Sequence, residues 1–238
     1  MRLAMWSGPR NLSTAMMYSF GNRADFHVVD EPFYGPYLRK TGLDHPMRAE
    51  IIADRPESAQ EVAASLLGPI LDGKPHVYHK HMAQHMIPGI SRDWMADCTN
   101  VFLIRHPARV VASFADKYEN PTLDDIGFVQ QAELYALAKA LGQTPVVIDS
   151  ADIRRDPDRM LRALCEAIDL PFDPAMLRWP AGGHPQDGVW KKVWYASVHT
   201  STGFAGAEGP LPQLDGPMAD LAARALPYYE DMAAAKLS

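Results

Sequence analysis

The sequence predicts an α/β domain built on a central, mainly parallel sheet with helices on both faces. Three observations carry that expectation. Short apolar or β-branched runs alternate with longer helical stretches along the chain, the arrangement that sets strands in parallel and covers both faces. Polar residues stand at the ends of four of those runs: Ser7-Gly8-Pro9-Arg10, Asp30-Glu31, Lys80-His81 and Arg105-His106-Pro107. Sheets of this kind place ligands beyond the carboxyl ends of their strands, so the four ends argue for one shared crevice.

Taken in order, the first strand is Arg2–Trp6, around the unbroken apolar run Leu3-Ala4-Met5-Trp6, and a helix over Asn11–Gly21 follows it across a tight turn. His27–Asp30 is the second strand, and a helix over Pro56–Leu71 leads to the third, His76–His81. Val101–Arg105 is the fourth, followed by helices over Ala108–Lys117 and Leu123–Leu141. Thr144–Asp149 is the fifth, and helices over Pro157–Ile168 and Met218–Ala235 complete the pattern. Between them, Pro171 to Pro217 is rich in Gly and Pro but also carries Trp179, Trp190, Trp194 and Phe204. That is too aromatic for a disordered linker, so an ordered, mostly irregular segment packing over the site is expected. No internal repeat is visible, and residues 1–238 are read as one domain.

Size and charge bound the function. At 238 residues and 47% hydrophobic, the chain is long enough for a sizeable core. Its net charge of −6 argues against nucleic acid or anionic membranes as partners. Two cysteines, Cys98 and Cys165, make no disulfide framework. No apolar stretch reaches the roughly 20 residues of a membrane span, and Gly8-Pro9 interrupts the N-terminal region before a secretory core could form. A soluble cytoplasmic protein is expected.

The first loop, Ser7 to Thr14, joins a strand to a helix. A turn of this kind aims backbone N–H groups and the helix dipole at an anion. It keeps the outline of the ATP-binding loop G-x-x-x-x-G-K-[ST], but Leu12 stands where the second Gly would be, and no Lys precedes Ser13-Thr14. Arg10 supplies a fixed, always charged fork for phosphate or sulfonate oxygens. The alternative is an ordinary helix start with Arg10 on the surface. In the second segment, Arg105 ends a strand and Ser113 lies eight residues further on. On a helix beginning near Ala108, Ser113 falls about a turn and a half in, where it can return toward the strand end. A small packing residue there is the alternative.

With these residues in view, the chain resembles the sulfotransferases that use 3′-phosphoadenosine 5′-phosphosulfate, whose fold is P-loop-like, with three α/β/α layers. The resemblance implies that Gly8, Pro9, Arg10, Asn11, Leu12, Ser13 and Thr14 form the loop around the 5′-phosphosulfate. It implies that Arg105 and Ser113 hold the 3′-phosphate. Many members have Ser-Gly-Thr-Thr after a basic residue, and Leu12 departs from that pattern. Asp30-Glu31-Pro32 and the tail from Trp190 to Ser201-Thr202-Gly203-Phe204 resemble a bacterial subgroup of sulfotransferase-like proteins. In the tail, Lys191 and Lys192 are implied to close over the nucleotide.

Sulfuryl transfer needs a base for the acceptor proton and neutralisation of charge on the leaving bridging oxygen. Glu31 is one candidate base, since relatives place a Glu at that strand end. Burial raises the pKa of such a Glu and a nearby Arg opposes the rise. His81 is the other candidate, since other members end the third strand with Lys-Thr-His. Here the run is His79-Lys80-His81. On a strand His79 and His81 share a face and Lys80 takes the opposite one, so Lys80 is a candidate for the bridging oxygen. A zinc site on His79, His81 and His85 lacks a further well-spaced ligand, and no metal is expected. The acceptor is read as a small molecule, with Phe33, Tyr34 and Tyr37 available to line an apolar pocket. Two rivals remain at this point: an ATP-dependent kinase with Mg²⁺ on Asp30-Glu31, and a nucleotide-binding module without chemistry.

Overall fold

The computed structural model describes residues 1–115 and 120–238. In chain order the elements are β1 (Arg2–Ser7), α1 (Ser13–Gly21), β2 (Phe26–Asp30), α2 (Tyr34–Thr41), α3 (Arg48–Asp54), α4 (Ala59–Leu67) and β3 (His76–Met82). There follow β4 (Thr99–Ile104), α5 (Pro107–Ala115), α6 (Phe128–Ala140), β5 (Val146–Asp149), α7 (Ser150–Arg155), α8 (Pro157–Ala167), α9 (Lys191–Trp194), α10 (Ala196–His199) and α11 (Gly216–Ala233). The expected helix over Ala108–Lys117 starts one residue earlier, and its last two positions, 116 and 117, lie outside the described residues.

The five strands form one sheet in the order β2-β3-β1-β4-β5. All four strand pairings are parallel, so the expected fold class holds. Alternation along β1 sends its side chains into two cores. Leu3 and Met5 join one with Met16, Met17 and Phe20 of α1 and Leu161 and Leu164 of α8. Ala4 and Trp6 join the other with Val62 and Leu66 of α4, Trp94, and Leu134 of α6. Both faces of the sheet are therefore covered, which is why the strands read as near-continuous apolar runs.

Helix starts follow local chemistry more closely than the sequence pattern did. The helix expected from Pro56 begins at Ala59, because Ser58 and Glu61 form a capping box there. The helix expected from Leu123 begins at Phe128, after Gly127 takes φ 69°. Among the described residues five helices were not expected: α2, α3 and α7, and the four-residue turns α9 and α10. The segment 171–217 holds only short helical turns, but it is anchored by Trp179 and Trp190, both buried.

β1 is the central strand, with β3 on one side and β4 on the other. The carboxyl ends of β1, β2, β3 and β4 thus converge, and a cavity of about 540 Å³ opens beside them.

Candidate active site

The loop after β1 is shaped by three residues. Gly8 is required by close approach: a Cβ there would lie 2.6 Å from the Ile126 carbonyl oxygen. It backs the loop and does not line the cavity. The left-handed turn is made one step later by Arg10, at φ 55°. Asn11 staples the loop, its Oδ1 accepting from the Leu12 N–H (2.9 Å) and its Nδ2 donating to the Leu103 carbonyl of β4 (3.0 Å). Pro9 through Ala15 line the cavity. α1 starts at Ser13 with no side-chain cap; the N–H groups of its first turn have no intrahelical acceptor, and Ser13, Thr14 and Ala15 of that turn line the cavity.

The second motif meets the first directly. Arg10 Nε donates to Ser113 Oγ (2.9 Å) and Arg105 Nη1 donates to the Arg10 carbonyl (2.6 Å). The Arg10 guanidinium, expected to serve phosphosulfate oxygens, donates to Ser113 at the junction of the two motifs and lines the cavity. Arg105 and Ser113 also line the cavity.

On the other side of the cavity stands a buried polar cluster. Asp30 ends β2 opposite Lys80 of β3, and Glu31 follows at φ 41°. Lys80 Nζ donates to Asp30 Oδ1 (2.9 Å), Glu31 Oε1 (2.6 Å) and Tyr195 Oη (2.6 Å). Trp190 Nε1 also donates to Tyr195 Oη (3.0 Å). A phenol has one proton, and the Asp30 carboxylate receives it, at 2.8 Å from Oδ2 and 2.9 Å from Oδ1. The Gly188 N–H donates to Asp30 Oδ2 (3.0 Å). Every one of these groups is buried. Burial raises the Glu31 pKa, the Lys80 charge opposes the rise and Asp30 adds to it, with a net upward shift. Burial works to lower Lys80, but Asp30 and Glu31 outweigh it, so the ammonium is held.

Four of the expected site residues are not in this cavity. Gly8 is one, as described above. His81 lies on the opposite face of the sheet, as the period-two alternation of β3 requires. It pairs in register with Trp6 and stacks on it at 4.4 Å, with Trp94 and Phe33 alongside. Burial pushes its pKa well below the usual histidine value. The ring is packed among aromatic side chains and does not line the cavity, so the geometry lends its reading as a base no support. Lys191 and Lys192 lie outside the cavity wall, and the same segment contributes Trp194, Tyr195, Ser197, Val198 and Ser201 instead. Part of the remaining wall is aromatic. His85 stacks between Tyr34 (4.7 Å) and Tyr37 (4.8 Å), and all three line the cavity. Phe33 does not; it packs on Trp94 at 5.5 Å. Tyr195 was missed in the sequence, where nothing marks it, and His85, weighed there only as a metal ligand, stands in the aromatic wall. Among the described residues no group of three or more His, Cys, Asp or Glu is placed to hold a metal ion, and no helix is long and apolar enough to cross a membrane.

Residues 1–236 match the sulfotransferase domain family, and the chain belongs to that family. Two plant proteins of Arabidopsis thaliana are similar along 94% of this chain: branched-chain-amino-acid aminotransferase-like protein 1, at 37% identity, and its counterpart protein 2, at 34%. The chain spans 40% of the length of each. Among solved structures, the sulfotransferase domain from the curacin biosynthetic pathway superposes with a TM-score of 0.51 at 19% identity, covering 93% of this chain and 96% of that one. That likeness is one of fold.

Proposed function

We propose that the protein transfers a sulfuryl group from 3′-phosphoadenosine 5′-phosphosulfate to a hydroxyl or amine of a small molecule, as a single domain. One observation carries this reading. A single cavity is walled on one side by a helix N-terminus with the Arg10, Arg105 and Ser113 group, and on the other by Glu31 and Lys80.

The first-turn N–H groups of α1 hold the 5′-phosphosulfate, and Arg105 and Ser113 hold the 3′-phosphate. Glu31 takes the acceptor proton as the acceptor attacks sulfur. The bond from sulfur to the bridging oxygen breaks, and Lys80 neutralises the charge that develops there. Asp30 and Tyr195 fix the Lys80 ammonium, which limits reorganisation during the reaction. Tyr34, Tyr37 and His85 supply the flat apolar wall for the acceptor. Of the two candidate bases this reading takes Glu31, which lines the cavity, over His81, which does not. Cys98 and Cys165 are both free and buried, which suits a reducing, cytoplasmic setting.

The test is calorimetric binding of adenosine 3′,5′-bisphosphate and adenosine 5′-monophosphate. The wild type should prefer the bisphosphate. Arg105→Ala should weaken bisphosphate binding by roughly 1.5–3 kcal/mol, the scale of a charge-assisted hydrogen bond, and leave the monophosphate nearly unchanged. Equal losses for both ligands would remove Arg105 from the 3′-phosphate.

A further inference from the structure

Arg105 has a second partner that this reading does not use. Glu208, in the loop before α11, is buried among arginines from three elements, its side chain 4% exposed. They are Arg105 after β4, Arg109 of α5 and Arg154 of α7. Glu208 Oε1 accepts from Arg105 Nη2 and from Arg154 Nη1 (2.8 Å). Oε2 lies 2.9 Å from Arg109 Nε, but the N–H is not aimed at it, and that oxygen is buried without a hydrogen bond. The same arginines draw in the loop backbone. Arg154 Nε donates to the Gly206 carbonyl (2.9 Å), and Arg109 Nη2 donates to the Gly209 carbonyl. Added Cβ atoms at Gly206 and Gly209 would meet nothing within 4 Å, so there is open space on that side of both glycines, and the arginines tie the loop down there.

The charges do not balance. Three guanidinium groups face one carboxylate, leaving an excess of positive charge. A phosphate monoester carries about −1.5 to −2 near neutral pH and offers three acceptor oxygens. It therefore suits three guanidinium forks better than a carboxylate with one oxygen unmatched. We infer that Glu208 is an internal anion seated in a phosphate site made by Arg105, Arg109 and Arg154, and that the phosphate of a bound ligand displaces it. The inference rests on the proposed reading for the identity of that phosphate, the 3′-phosphate of the nucleotide. It adds two arginines to that group and a built-in competitor.

The experiment compares wild type with Glu208→Gln, using adenosine 3′,5′-bisphosphate, adenosine 5′-monophosphate and inorganic phosphate as separate probes. Removing the competing charge should tighten bisphosphate binding about tenfold, the worth of one charge-assisted contact, with the monophosphate unchanged. Bisphosphate binding that is unchanged or weaker overturns the inference and leaves the sulfotransferase reading standing. A wild type that binds neither nucleotide refutes that reading, and inorganic phosphate then decides the inference. A larger phosphate-induced rise in Tm for Glu208→Gln than for wild type supports it; an equal rise overturns it. If Glu208→Gln does not fold, Glu208→Asp keeps the charge but withdraws it by one methylene. It should likewise tighten bisphosphate binding, and unchanged or weaker binding again overturns the inference.

Discussion

Glu31 follows β2 in the left-handed region, a conformation that costs a non-glycine residue roughly 1–2 kcal/mol. Its N–H bonds the Lys80 carbonyl (3.0 Å), so the chain still pairs with β3 while the side chain swings onto the Lys80 ammonium. Such strain persists where the surroundings over-determine it, and here Lys80, Asp30 and Tyr195 do so. Glu31→Gln keeps shape but removes the carboxylate. Turnover with the true acceptor should fall by about 10²–10⁴-fold, with bisphosphate affinity nearly unchanged. His81→Gln should leave the chemical step alone and lower stability, since it removes a ring stacked on Trp6. A loss of turnover in His81→Gln at normal nucleotide affinity would restore His81 as the base. Residue by residue, the places of Glu31 and Lys80 beside the crevice were legible, because Glu31 directly follows β2 and Lys80 lies two residues from the end of β3. That Lys80 and His81 face opposite ways was legible too, from the period of the strand. Which of those two faces meets the cavity was not, because that depends on which helices cover each side. Tyr195 was invisible: it joins Lys80 across 115 residues of chain, and no local pattern encodes that contact.

At the scale of elements, the strand–turn–helix units were the clearest part of the sequence, because an unbroken apolar run followed by turn residues has few other readings. The turn's inner working was less clear. A glycine in such a loop suggests a positive φ, yet Arg10 takes that conformation, and Gly8 is there to let the loop pass the Ile126 carbonyl. Gly8→Ala should therefore destabilise the protein by about 1–3 kcal/mol, the usual scale of overpacking, because the opposing atom is backbone. Urea unfolding would measure this, and an unchanged midpoint would mean that the loop yields at no cost. α2 was hidden by Gly35-Pro36, which reads as a turn. Both fit in its first turn, where a proline has no N–H to lose from the helix and glycine is needed because a Cβ would meet Arg55 Cβ at 2.5 Å. The tail from 171 to 217 was legible as ordered from its aromatic residues, but not which of them reach the site. Lysines next to Trp190 drew attention, while the segment in fact delivers the Tyr195 hydroxyl.

Across the whole molecule, seven histidines are shifted by burial. His79, His81 and His85 are buried on the two sides of the sheet, at 1%, 1% and 3% exposure. Burial pushes His79 down to about 3 and the other two well below the ordinary value of about 6.5. Burial shifts His45, His76, His106 and His184 in the same direction. A group whose pKa is lowered by folding is neutral in the native state while the unfolded chain takes up the proton. The stability tied to it is present above the unfolded pKa and is lost as pH falls toward the folded one. The window therefore opens just below pH 6.5 and, for His79, runs down to about 3. Glu31 works the other way: its raised pKa favours the folded state as pH falls, so it offsets part of one histidine's loss. Each deeply buried histidine contributes a slope of up to about 1.4 kcal/mol per pH unit. With three of them against one Glu31, stability should drop steeply between pH 6.5 and 5.5, well above the range where most carboxylates titrate. Urea unfolding at pH 7.5, 6.5 and 5.5 measures it, and His79→Leu should flatten the acid limb by up to one proton's slope. A stability flat across that range would mean that these rings take up protons in the folded protein as readily as in the unfolded chain.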